Sequence, residues 1–106
     1  MNLQEGQVFR ATLITKGRRT ARDHAVELRA VFYNNRVYFS RRNSNSDWLK
    51  NAIANPEVRI EYNNTSFSGI ASLVTDEKLA RKISQLKYAD KRSEESRVVL
   101  QVKLCE

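Results

Sequence analysis

Two Asn-Asn pairs, at positions 34–35 and 63–64, punctuate this chain. Asparagine tolerates the left-handed backbone region that a tight two-residue hairpin turn demands. On either side of each pair, apolar residues recur at every second position, the period of a strand with one buried face. Residues 24–33 place Val26, Leu28, Ala30 and Phe32 on one face, with Glu27 and Arg29 on the other. Residues 36–40 return with Val37, Tyr38 and Phe39. Around the second pair, residues 57–62 carry Val58, Ile60 and Tyr62 on one face, and residues 67–74 form the returning strand. Gly69 within it marks a bulge or a close backbone contact. Two more segments alternate: residues 8–15, with Phe9, Ala11 and Leu13 inward, and residues 97–104, with Val98, Leu100, Val102 and Leu104 inward.

Two segments carry the helical period instead. Ser46 is a fair N-cap with Asp47 in the first turn, and Trp48, Leu49, Ala52 and Ile53 share one face until Pro56 stops the helix. Thr75 can cap a second helix, with Asp76 and Glu77 in its first turn and Leu79, Ile83 and Leu86 as its apolar stripe. Glu77 is placed to pair with Arg81. Residues 41–45 and 90–96 are polar connections. The order is βββ-α-ββ-α-β, in one domain over residues 1–106. Six short strands with tight turns predict a mainly β fold, a small antiparallel barrel whose closure removes exposed edges, with the two helices covering its openings.

Charge narrows the partners. A formal net charge of +7 and a pI near 9.9 favour polyanions: nucleic acid, acidic lipid headgroups or a phosphorylated cofactor. Cys105 is the single cysteine, and no Cys/His cluster has metal-site spacing, so neither a disulfide nor a metal is expected. The polar start carries no signal-peptide pattern, and no apolar run approaches the roughly 20 residues of a membrane span. The chain reads as a soluble, cytoplasmic protein.

The basic stretch Thr15-Lys16-Gly17-Arg18-Arg19-Thr20 joins the first two strands. Guanidinium forks, hydroxyls and free N–H groups around a glycine are what a phosphate or carboxylate needs, and the glycine permits positive φ or close approach of a ligand. A solvated turn and an anion-binding loop are equally open readings of this stretch by itself.

The order and spacing of several motifs add to it. These are Thr15-x-Gly17-Arg18-Arg19-Thr20, Val37-Tyr38-Phe39-Ser40, Asp47-Trp48-x-x-Asn51, Ala54-Asn55-Pro56-x-Val58, Phe67-x-Gly69-x-Ala71-x-x-Val74-x-Asp76 and Lys87-Tyr88. Together they resemble the deazaflavin-dependent nitroreductase family, within the flavin-binding split-barrel superfamily that includes pyridoxamine-phosphate oxidases. The resemblance covers nearly the whole chain. It implies a six-stranded split barrel, a homodimer, and a cofactor cleft at the dimer interface with the basic loop on the phosphate side. The cofactor-binding residues it suggests are Lys16, Gly17, Arg18, Arg19, Thr20, Ser40, Arg41, Arg42, Ser46 and Trp48. Three departures stand out. Ala21 replaces a second glycine of the loop motif, and Glu27 replaces a proline. Ser46-Asp47-Trp48 replaces the Ser-Arg-Lys run of the phosphopyridoxine oxidases. Losing those cations disfavours FMN in that mode and favours coenzyme F420, or a relative without cofactor, while Arg41 and Arg42 stand close enough to compensate.

Hydride transfer is the cofactor's own reaction, so the lack of a nucleophile triad or paired carboxylates excludes hydrolases and leaves this chemistry open. His24 is the only histidine and has no nucleophile motif beside it, and Cys105 reads as an incidental terminal thiol. Tyr33, Tyr38, Tyr62 and Tyr88 suit core packing with a satisfied hydroxyl, or proton donation to a reduced substrate. Trp48 suits the core, or stacking on a cofactor. The acceptor class is a nitro compound, quinone or activated alkene, which no motif distinguishes. Two other classes are consistent with charge and pattern: a small basic barrel binding nucleic acid, and a dimeric scaffold without cofactor.

Overall fold

The computed structural model describes residues 2–42, 45–94 and 97–105. Six strands and two helices follow the expected order: β1 (Val8–Lys16), β2 (Asp23–Tyr33), β3 (Arg36–Arg41), α1 (Asp47–Ala54), β4 (Glu57–Tyr62), β5 (Thr65–Leu73), α2 (Glu77–Lys87) and β6 (Val98–Leu104). A 3₁₀ turn, Lys91–Glu94, lies in the connection that the sequence shows as merely polar. Residues 43, 44, 95 and 96 of the two expected connections lie outside the described residues.

The strands close in the order β1-β2-β3-β6-β5-β4, every pair antiparallel. Both Asn-Asn turns form as the sequence requires, with all four asparagines at φ between 52° and 61°. The ladders are unequal. β1 and β2 pair over nine residues, whereas β2 meets β3 over three and β1 meets β4 over three. The barrel is therefore a β1–β2 hairpin joined to a four-stranded sheet by two short seams. Above the β2–β3 seam, residues 23–30 of β2 pair with β1 alone, and residues 39–41 of β3 pair with β6 alone.

The alternation of the strands builds two cores. Inside the barrel lie Phe9, Ala11, Leu13, Ala30, Val37, Phe39, Val58, Ile60, Leu100 and Val102, and Trp48, Leu49 and Ala52 of α1 join them. On the other side of β3, Tyr38 and Val31 pack with Val99 beneath Ile83 of α2. Ile53, expected on the apolar face of α1, is 48% exposed, because Trp48, Leu49 and Ala52 already fill the barrel end. Asp76 caps α2 in place of Thr75, its carboxylate accepting from the Lys78 and Leu79 amides. Ser46 stands at the N-cap position of α1 without a side-chain cap bond, since its Oγ accepts instead from Arg41 Nε at 2.9 Å. Glu77 and Arg81 form no ion pair among the described residues.

Gly69 is a site of close approach within a regular ladder. A Cβ there would stand 2.5 Å from Val102 Cγ1 and 3.0 Å from the Lys103 carbonyl oxygen. Neither the core valine nor the backbone can retreat cheaply. Gly69→Ala should cost about 1–3 kcal/mol, measured by chemical denaturation, with the m-value unchanged.

Candidate functional site

The tip of the β1–β2 hairpin folds back on α1. Gly17 N donates to the Arg22 carbonyl at 2.8 Å and Ala21 N to the Gly17 carbonyl at 2.9 Å, which tightens the loop. The positive φ that the loop needs falls on Ala21, at 57°, and not on Gly17. This is the position where the family pattern carries its second glycine, and the strain explains that preference. Gly17 is required for space, because a Cβ would meet His24 Nε2 at 2.7 Å and Thr20 Oγ1 at 3.0 Å.

Gly17, Arg18, Arg19, Thr20 and His24 line a cavity of about 260 Å³ together with Asp47 and Asn51 of α1. Arg18 is the hinge of this contact. Its Nη1 donates to Asn51 Oδ1 at 2.7 Å, its backbone N–H to the same oxygen at 3.3 Å, and its Nη2 to Asp47 Oδ1 at 3.4 Å. Asn51 is 2% exposed, and its Nδ2 donates to the buried Thr15 hydroxyl at 3.5 Å. Arg18 thus fastens the loop to α1, while Arg19 stays exposed on the cavity wall.

The other candidates spread around this cavity. Lys16 leaves the hairpin on the outer face of β1 and lines a separate groove with Asp23, Arg59 and Ile70. Arg41 and Ser46 bind each other, and Arg42 is exposed beside them. Trp48 is 8% exposed and packs edge-on against Phe39, with ring centroids 6.2 Å apart, so its ring belongs to the core.

Ser40 belongs to a second polar cluster at the split between β2 and β3. Lys87, at the end of α2, is 8% exposed and donates to Ser40 Oγ at 3.1 Å and to the Ser40 carbonyl at 3.4 Å. Arg29 of β2 donates to the Lys87 carbonyl at 2.9 Å, so α2 spans the gap the two strands leave. Tyr88 lies among four cations. The guanidiniums of Arg92 and Arg97 stand 4.5 Å from its ring centroid, that of Arg29 stands 5.6 Å away, and the Lys87 ammonium 5.3 Å. Burial lowers the Lys87 pKa below the ordinary lysine value, against an opposing pull from Tyr88, and the Arg29 and Arg97 charges lower it further. Burial works to raise the Tyr88 phenol, but the Lys87 charge and hydrogen bond, with Arg97 and Ser40, outweigh it and leave the pKa lowered. Asp90, just before the 3₁₀ turn, is held by Arg92 at a pKa of about 2. The sequence marks Lys87 and Tyr88 only as part of a resemblance. The burial of Lys87 depends on where α2 lands, which no local pattern reveals.

These features meet the comparisons with known proteins. The family model of the F420H(2)-dependent quinone reductases matches residues 2–104. The chain belongs to this family. Membership makes it a deazaflavin- or flavin-dependent oxidoreductase and favours coenzyme F420 as the cofactor. Solved structures share the fold at low identity. The chain is similar to conserved hypothetical protein Rv2991 of Mycobacterium tuberculosis, with a TM-score of 0.72 and 17% identity, over 92% of this chain and 73% of that one. It is similar to an F420-H2 dependent reductase, FDR-A, with a TM-score of 0.68 and 17% identity, over 88% and 92% of the two chains. A putative pyridoxamine 5'-phosphate oxidase of Listeria innocua gives a TM-score of 0.68 at 18% identity, over 92% and 84%. No curated protein sequence matches the chain. Among the described residues, no helix is long and apolar enough to cross a membrane.

The two clusters respond differently to substitution. Arg18→Ala removes a charge-assisted bond to a buried amide oxygen and should cost about 1.5–3 kcal/mol in thermal denaturation, whereas Arg19→Ala should leave stability unchanged. For Lys87 the sign follows from linkage. Its folded pKa lies below 10.5, so the unfolded chain binds more protons between the two values and stability rises with pH there. The cost of the buried charge is fully present below the folded pKa and fades as pH approaches 10.5. Relative to Lys87→Met, the native protein should therefore gain stability across this alkaline window. Parallel denaturation curves at several pH values measure it.

Proposed function

We propose that the chain reduces a small organic acceptor of the quinone class with a hydride from coenzyme F420, whose phosphate side is held at the β1–β2 hairpin tip. The observation that supports this most directly is the hairpin cavity, where Arg19, Thr20 and the crowded backbone of Gly17 face the α1 contact made by Arg18. A charged fork, a hydroxyl and a loop pinned at its base suit a phosphate better than a freely solvated turn does. When bound, the deazaflavin supplies the hydride. The chain's part is to hold, orient and shield. Arg19 and Thr20 would hold the anionic side, and Lys16 adds positive charge nearby. Arg41, Arg42 and Ser46 would border the cleft from the loop before α1. Ser40 stands at the β2–β3 split, buried, with its hydroxyl held by Lys87 of α2. Arg18 carries the Asp47 charge as a partner and so contributes as a positioning residue.

The assembly we propose is a homodimer. Ile53, Ile70 and Leu73 are large apolar side chains left between 42% and 48% exposed on a small barrel. One solved structure with a similar fold, TM-score 0.69 at 17% identity, is described as a domain-swapped dimer.

Arg19→Ala should weaken F420 binding about tenfold to a hundredfold, the loss of one charge-assisted contact. Arg19→Lys should recover part of it. Fluorescence titration of purified variants measures both. Unchanged affinity in Arg19→Ala, with native stability intact, would move the phosphate away from the hairpin.

A further inference from the structure

Of the titratable side chains that line the hairpin cavity, His24 alone belongs to a type whose charge changes near neutral pH. It stands directly opposite Thr15 in the β1–β2 ladder, and so on the same face of the hairpin as that buried residue. Its ring is pressed over Gly17. A Cβ on Gly17 would meet His24 Nε2 at 2.7 Å and Cδ2 at 3.0 Å, with Thr20 Oγ1 at 3.0 Å from the same point. The loop thus has no side chain where the imidazole stands, and Nε2 and the Thr20 hydroxyl converge on one side of the glycine. Among the described residues neither ring nitrogen has a hydrogen-bond partner.

An exposed strand-end histidine without a partner is ordinary; its neighbours single this one out. The loop turns Arg18 and Arg19 to the cavity, and α1 turns Asp47 to it. Lys16 of β1, Arg22 of the loop and Asp23 of β2 flank the position. Both nearby carboxylates already face guanidiniums, Asp47 that of Arg18 and Asp23 that of Arg59 on β4. An imidazolium here has no carboxylate of its own. An anion in the cavity supplies one to His24 and to the exposed Arg19 together.

We propose that His24 is a further contact, beside Arg19 and Thr20, to the anionic group held at the hairpin tip, and that it makes the hold pH-dependent. The inference rests on the hairpin reading above. An anion beside a histidine favours the charged ring, and by reciprocity the charged ring favours the anion. Binding is tight while the imidazole is protonated and weakens as pH rises and the proton is lost.

His24 is the chain's only histidine, so one imidazole Cε1–H signal reports it by NMR. That signal is titrated from about pH 5 to 9 in the free protein and at saturating F420. Its midpoint should move up by about one pH unit on binding, and F420 affinity, measured by calorimetry, should fall about tenfold as pH rises through the window. His24→Gln keeps a hydrogen-bonding side chain that cannot titrate, and it should lose this fall. Any proton taken up by F420 itself is common to both proteins and cancels. An unmoved midpoint, or the same pH dependence in His24→Gln, overturns the inference. The two readings fail separately. An unmoved midpoint with F420 binding weakened by Arg19→Ala keeps the phosphate at the hairpin and removes only His24. An unmoved midpoint with native affinity in Arg19→Ala, or no F420 binding at all, removes both.

Discussion

Three residue pairs between β2 and β3 set the shape of this molecule. Beyond them the strands part, with Ser40 and Lys87 along the parting and the basic hairpin tip above it. The short seam is a property of register. β2 is eleven residues long and spends nine of them on β1, while β3 has only six and gives five to β6. Neither strand has a free partner for the remaining length. The split is therefore built into strand lengths and does not need a bulge or a glycine to produce it. α2 then bridges the gap, through Arg29 on one side and Ser40 on the other, and the bridge brings a lysine into the interior.

The hairpin tip is under a different constraint. Its charge is organised by one residue, Arg18, whose contacts to Asn51 and Asp47 hold the loop against α1. The same contacts take Arg18 out of competition for a ligand and leave Arg19 as the exposed guanidinium. Two adjacent arginines of identical chemistry thus divide into one that positions and one that is available. The division is made by Asn51, thirty-three residues away in sequence from Arg18.

Much of this was legible in the chain. The alternation of the six strands, the two Asn-Asn turns and the two amphipathic stretches correspond to the observed elements, because each depends on local period and local backbone preference. The split barrel and the deazaflavin family were legible from the order of several weak motifs. The details that failed were those decided by tertiary contact. Ser46 looks like a cap and instead binds Arg41, and Thr75 looks like a cap while Asp76 acts as one. Gly17 looks like the residue that takes positive φ, but the strain sits on Ala21. Lys87 gives no local sign that it will be buried.

The parting of β2 from β3 also leaves a row of backbone donors and acceptors without strand partners along residues 23–30. Such an edge is a template on which unrelated chains can pair and stack. This edge is defended by its side chains. Asp23, Glu27 and Arg29 lie along it, with Asp23 tied to Arg59 and Glu27 to Arg10, so an incoming strand would have to bury or displace fixed charges. The edge left by the parting is in this way kept closed to aggregation, and a variant stripped of those charges would trade solubility for a sticky margin along β2.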